Sequence, residues 1–490
     1  MDQSSRRDFL KFMGMGALSM SIPGCSSFLS KSNSGQRPNF LFILVDDLGW
    51  RDLGCYGSDF YESPNIDALA KDGVKFTNAY AASPVCSPTR ASILTGKYPA
   101  RMNVTDWFTN RNEKKMLPAD YLNYLPKKEL TIAEALKASG YNTFYAGKWH
   151  LGSEAYYPEN NGFEINKGGY KAGHPKKGYF SPYGNPKLTD GSPGEYLTDR
   201  LGDETISFLE QQGNDPFLLY LSFYSVHTPL MAKKEDVQYF KQKAKKMGLS
   251  QAYDKNHRVL EETDDDIIVE RYKQSNPVYA AMIKSVDDNV GRVLGKLKAL
   301  NLDQNTIVIL MSDNGGLSIT EGTPTSNAPL KAGKGWLYEG GIREPMLIRW
   351  PGVTTPGSVC NEPVTSTDFY PTMLEMAGLS AMPDQHRDGK SLVPLLKGDT
   401  TFKRGAIYWH YPHYSNQKGK PAAAVRLGNF KLIEYFEDNN VELFDLATDI
   451  GEATDLSEKM PGKTNELRSM LHRWYKEVDA KMMRPNPEWL

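Results

Sequence analysis

The sequence predicts an α/β fold: a large, doubly wound sheet of mostly parallel strands sandwiched by helices, with a smaller α+β subdomain at the C-terminal end. Three apolar runs of strand length carry this expectation, Asn39–Val45 (NFLFILV), Phe217–Phe223 (FLLYLSF) and Thr306–Met311 (TIVILM). None alternates apolar with polar residues, as expected of a strand covered on both faces of a parallel sheet. Amphipathic helical stretches at Asn65–Asp72, Leu130–Ser139, Tyr196–Gln211 and Val278–Leu300 lie between or beside them. In such sheets ligands gather at the carboxyl ends of the strands. Here the first run ends in Asp46-Asp47, the second leads into His227 and the third ends at Asp313-Asn314.

Composition narrows the function classes. The chain has 490 residues with 58 Lys+Arg against 59 Asp+Glu, so no charge excess points to nucleic acid or an anionic lipid surface. Hydrophobic residues at 40% are too many for a disordered chain and too evenly spread for a polytopic membrane protein. Four cysteines cannot staple a fold of this length, so each needs its own explanation.

The first 25 residues read as an export signal: Ser5-Arg6-Arg7-Asp8-Phe9-Leu10-Lys11, a short apolar stretch, then Ile22-Pro23-Gly24-Cys25. The arginine pair resembles a bacterial twin-arginine signal, and the last four residues resemble a lipoprotein cleavage box that would place lipid on Cys25. This implies a protein handled by export machinery and held in the bacterial periplasm or cell envelope, with a lipid anchor as its membrane contact. Residues 26–37 have the composition of a flexible linker. The body divides into a catalytic domain over 38–400 and a subdomain over 401–490. In the former, 153–195 is rich in Gly, Pro, Tyr and Asn and reads as a substrate-facing insertion, while 232–275 is highly charged and its acidic run Glu261–Asp266 reads as solvated surface. In the latter, AAVRLGNFKLIEYF and VELFDL flank Glu437–Asn440 as a hairpin, followed by a charged amphipathic helix over about 462–481.

Two clusters suggest chemistry. Asp46, Asp47, Asp313 and Asn314 are hard oxygen ligands at predicted strand ends, and without His or Cys among them they favour Ca²⁺ or Mg²⁺ over zinc. Cys86, two residues before Pro88, falls at the start of a predicted helix, where backbone N–H groups favour an anion, and Arg90 can point to the same end. A nucleophile beside a fixed cation suits attack on an oxyanion ester; a buried structural cysteine is the alternative.

The string Cys86-Ser87-Pro88-Thr89-Arg90 resembles the signature of the type I, formylglycine-dependent sulfatases of the alkaline phosphatase superfamily. It is accompanied, in the family's order across about residues 38–350, by VDD at Val45–Asp47, LTGK at Leu94–Lys97, GKWH at Gly147–His150, HTP at His227–Pro229, SDNG at Ser312–Gly315 and GKGWLYEGG at Gly333–Gly341. The resemblance implies an alkaline phosphatase-like fold, hydrolysis of a sulfate ester, and oxidation of Cys86 to Cα-formylglycine by a maturation enzyme. It implies one Ca²⁺ held by Asp46, Asp47, Asp313, Asn314 and an oxygen of the modified Cys86. Hydrated residue 86 would be the nucleophile, with Arg90 polarising it, Lys148 and Lys334 neutralising sulfate charge, His150 contacting the diol and His227 protonating the leaving oxygen. Lys331 competes for the second lysine role, but Gly-Lys-Gly before the YEGG string fits Lys334. Ile450 stands where relatives carry Pro, which affects a turn.

A sulfated glycan is the expected substrate, with the strings ENNGF and GYFSPYGNP resembling those of sulfatases acting on galactose or N-acetylgalactosamine units. The alternatives are a phosphonate monoester or phosphodiester hydrolase of the same superfamily and a non-catalytic glycan-binding lipoprotein. His174 in the insertion and His413 in the cluster His410–Tyr414 are candidates for sugar contacts. Cys55 and Cys360 are expected to be free, largely buried thiols.

Overall fold

The computed structural model describes residues 37–108, 112–250, 252–262 and 266–489. The export signal, Cys25 and all of the linker but Arg37 lie outside the described residues, as do residues 263–265 of the acidic run.

A nine-stranded sheet forms the centre. Its order is Ser358–Cys360, Val74–Tyr80, Arg343–Arg349, Thr306–Ser312, Asn39–Val45, Phe217–Ser222, Asn142–Gly147 and Ile165–Lys167, with Val364–Thr365 also pairing to Val74–Tyr80. Arg343–Arg349 runs antiparallel to both its neighbours, and the other pairings are parallel. The three apolar runs are adjacent at the middle and every residue in them is buried. Helices explain that burial. Pro64–Asp72, Leu197–Glu210 and Lys234–Lys246 pack with Pro277–Ala299, while Cys86–Thr95, Ile132–Ala138 and Phe369–Met376 form a second group. The four helices predicted over this region match in type, with ends shifted by one or two residues.

The C-terminal part folds as a four-stranded antiparallel sheet, Ile407–Tyr411, Ala422–Leu427, Phe430–Tyr435 and Val441–Asp445, followed by the helix Pro461–Val478. The hairpin around Glu437–Asn440 is present, but its first flank holds two strands, because Gly428, at φ +60°, turns the chain inside it. Side chains on successive strand positions face opposite ways. Ala423, Val425, Leu432 and Leu443 therefore pack on Leu467, Leu471 and Trp474 of the helix. Ala422, Ala424, Ile433 and Phe444 pack with Tyr80, Trp336 and Ile342 of the large sheet and its loops.

A fully buried ion network crosses this junction. Lys431 Nζ meets Glu339 Oε1 at 2.9 Å and Glu452 Oε1 at 2.8 Å, and Tyr80 donates its hydroxyl to Glu339 Oε2 at 2.7 Å. Burial raises both carboxyls; Lys431, Arg343 and Arg426 outweigh it at Glu339 and hold that group below the ordinary range, whereas at Glu452 burial wins over Lys431 and keeps it raised. One ammonium is thus shared by two acids in a dry interface. Removing a partner from such a pair leaves uncompensated buried charge, costing about 3–5 kcal/mol. Lys431→Met should lower unfolding free energy by about that amount in denaturant titration, and a loss below about 1 kcal/mol would show that the network does not hold the junction.

Candidate active site

The parallel register brings the acids together. Val45 pairs with Ser312, so the residues that follow, Asp46-Asp47 and Asp313-Asn314, leave the sheet side by side. Asp47 N–H donates to Asp313 Oδ1 at 3.2 Å, and Asp47 sits in the left-handed region at φ +58°. Asp46, Asp47 and Asp313 each offer an oxygen within 4.8 Å of the others, and all three are buried. Asn314 donates Nδ2 to Asp47 Oδ1 at 2.8 Å, while its Oδ1 is buried without a hydrogen-bond partner. Three carboxylates and an unsatisfied amide oxygen make an all-oxygen donor set, which fits a hard divalent cation such as Ca²⁺.

The positive side of the cluster comes from three other segments. Cys86–Thr95 is a helix with Pro88 in its first turn and Cys86 as its first residue. Its Arg90 donates Nε to Asp313 Oδ2 at 2.8 Å and NH1 to Lys148 O and Ser222 Oγ, each at 2.7 Å, tying the helix to two strands. Gly147, at φ +102°, ends the Asn142–Gly147 strand where a Cβ would lie 1.7 Å from Ser222 O, so only glycine lets the chain turn there and deliver Lys148. Lys148 Nζ then meets Asp46 at 2.7 Å, and Lys334 Nζ meets Asp47 at 2.7 Å. Three acids are matched by three bases, so a divalent cation would give the cluster the positive excess that an anionic ester requires.

Two histidines complete the arrangement. His150, held at φ +55°, places Nδ1 3.3 Å from Cys86 Sγ. His227 places Nε2 3.6 Å from Asp47 Oδ2, and its Nδ1 lies 2.8 Å from Thr228 O. A carbonyl only accepts, so Nδ1 carries a proton and Nε2 faces the cluster. Burial, then the nearby lysines, push both imidazoles well below the ordinary range; at His227 Asp47 opposes this. Burial raises the Cys86 thiol despite Lys148 and Lys334, so an unmodified Cys86 is a poor nucleophile here. Burial also raises the Asp47 carboxyl, but Lys334, His227 and Lys148 outweigh it and hold it ionised.

Cys86, His150, His227 and Lys334 open into a cavity of about 880 Å³. His174 also lines it, its ring parallel to that of His227 at 6.2 Å. His413 does not: it is 1% exposed, and its Nε2 is engaged by Thr105 Oγ1 at 2.8 Å, so packing rather than a sugar accounts for it. His410 is likewise buried, 2.8 Å from Lys481 O. Lys331 lies over the Tyr338 ring at 3.9 Å, away from the acids that Lys334 meets. Cys55 and Cys360 are free and packed against the core with only a minor part of each exposed, as expected. Ser222, which anchors Arg90, and the cavity residues Glu321 and Gln417 carry no sequence signal: each is an isolated polar residue whose partners lie far away in the chain.

The whole chain resembles known proteins. Residues 38–379 match the family model described as sulfatase, and residues 332–481 match that described as N-sulphoglucosamine sulphohydrolase, C-terminal. A protein of Formosa agariphila named sulfatase is 32% identical over 94% of this chain and 91% of its own length. Human N-acetylgalactosamine-6-sulfatase is 31% identical over 85% of this chain and 75% of its own. The crystal structure of Ps i-CgsB in complex with k-i-k-neocarrahexaose superposes with a TM-score of 0.72 at 29% identity, covering 90% of this chain and 93% of that one. With the family model covering most of the chain and a relative 32% identical over 94% of it, the protein belongs to the sulfatase family, whose members hydrolyse sulfate esters.

Proposed function

We propose that this sulfatase removes sulfate from a sulfated carbohydrate, using formylglycine at position 86 and one Ca²⁺. The observation that carries the reading is the convergence of Cys86, Arg90, Lys148, His150, His227 and Lys334 around the buried acids at the end of a sugar-sized cavity. The relatives named for N-acetylgalactosamine 6-sulfate and crystallised with a neocarrahexaose support a carbohydrate, including galactose-type units. Cys86 Sγ, beside His150, stands in for the oxygens of the hydrated formylglycine.

Formylglycine at residue 86, once hydrated, would supply a geminal diol: attack of one hydroxyl on sulfur would break the S–O bond to the leaving alcohol, and deprotonation of the other would re-form the aldehyde as the C–O bond to sulfate breaks, water then restoring the diol. Asp46, Asp47, Asp313 and Asn314 would hold Ca²⁺, which would supply charge compensation for the sulfate oxygens. Arg90, locked by Asp313 and Ser222, keeps its guanidinium beside the start of the helix and cannot swing out. Lys148 and Lys334 bring two further positive charges to the same place, where low polarity strengthens each interaction. His227, with Nδ1–H fixed on Thr228 O, can carry a proton on Nε2 toward the leaving alcohol oxygen. Burial, then Lys334, hold down its proton affinity, and an entering sulfate ester, being anionic, opposes the Lys334 part of that effect. His150 lies against residue 86, placed to take the proton from the second hydroxyl.

From the N-terminal signal we infer an exported protein, attached through lipid at Cys25 and matured by a formylglycine-forming enzyme. No helix among the described residues is long and apolar enough to cross a membrane. Phosphonate or phosphodiester hydrolysis is the second reading, and kcat/KM decides between them: the aryl sulfate should exceed the matched aryl phosphodiester by at least about tenfold, equivalent to ~1.4 kcal/mol in barrier. A dominant phosphodiesterase would reverse the assignment, and inactivity of fully matured protein on every ester would favour a binding module. A Cβ on Gly173 would lie 2.5–2.9 Å from the His150 ring. Gly173→Ala should therefore displace His150 and lower kcat by about 10²-fold while leaving the melting temperature within a few degrees, and an unchanged kcat would remove His150 from the mechanism.

A further inference from the structure

The cavity is electrically lopsided away from the reacting centre. Glu321, at φ +55°, is the acid of its lining among the described residues. It is well satisfied: Oε1 accepts from Asn416 Nδ2 at 2.9 Å and Gln417 Nε2 at 2.6 Å, and Oε2 from Thr228 Oγ1 at 3.3 Å. This fixed carboxylate repels a second anion and suits sugar hydroxyls.

The segment Lys171-Ala172-Gly173-His174-Pro175-Lys176 gives another part of the lining the opposite character. It is seated directly on the chemistry, Gly173 against the His150 ring and His174 parallel to His227. Lys171 and Lys176 flank that contact; both are exposed, and neither forms an ion pair with a described residue. They are not needed for the sulfate being cleaved, since Lys148 and Lys334 already stand at the acid cluster. A volume of about 880 Å³ also leaves room beyond one sugar ring.

We propose that Lys171 and Lys176 bind a second sulfate, carried on the sugar unit next to the one being desulfated, so that the substrate is a glycan sulfated on neighbouring units. The proposal rests on the carbohydrate sulfatase reading and adds the charge pattern of the substrate. Anchoring on the same segment that packs on His150 and sets His174 parallel to His227 couples recognition of the neighbouring unit to the position of the reacting one.

The test uses two probes, a galactose disaccharide with one sulfate and its analogue with a sulfate on each ring, bound to full-length Cys86→Ala protein so that no turnover occurs. Calorimetry at low salt should give about tenfold tighter binding of the disulfated probe. That ratio should fall toward one when Lys171→Ala and Lys176→Ala are added, and persist with Lys171→Arg and Lys176→Arg. A ratio near one in the parent, a ratio indifferent to the lysines, or no binding of either probe would overturn the proposal. Sulfate release by the matured wild-type chain from the same probes is scored separately: a lysine-dependent ratio without release rejects the sulfatase mechanism alone, and release without the ratio rejects the second-sulfate site alone.

Discussion

Three carboxylates buried within a few ångströms of one another are the constraint on which this structure depends. Like charges in a dry site cannot coexist without compensation, and here it is drawn from distant parts of the chain: Arg90 from a helix, Lys148 from the turn after a strand and Lys334 from a glycine-rich loop. Each compensating group is itself fixed by something else. Ser222 and the Lys148 carbonyl hold Arg90, a glycine too close to Ser222 O for any Cβ releases Lys148, and the buried Lys431 network holds the segment that follows Lys334. The electrostatics of the acids thus reach into the packing of both sheets.

The same arrangement explains why ordinary chemistry at residue 86 is suppressed. Burial raises the thiol although two ammonium groups lie near, so the thiolate is disfavoured at this position. Asp47, His150 and Glu321 all adopt left-handed backbone around the cavity, a strain that folded proteins retain where geometry matters to function.

Much of this was legible in sequence. The three apolar runs lack alternation because both sheet faces are covered, and the ends of two of them mark Asp46, Asp47, Asp313 and Asn314 in the sequence. Lys148 and Lys334 were legible through their motifs and not through periodicity. His413 misled because an aromatic and histidine cluster looks alike whether it faces a sugar or fills a core, and only Thr105, remote in sequence, settles which. Glu321 was invisible for the converse reason: its role comes from Thr228, Asn416 and Gln417, brought together by packing of the C-terminal sheet against the body. Residues whose function lies in their own type and spacing can be read from sequence, and those whose function lies in long-range partners cannot.

The central claim is that position 86 carries an oxygen nucleophile set among these fixed charges. Mass spectrometry of the Cys86 peptide, from active protein produced in its own host, tests it most directly. The account predicts the mass of an aldehyde or its hydrate in place of the thiol, and a wholly unmodified thiol in active protein would contradict it.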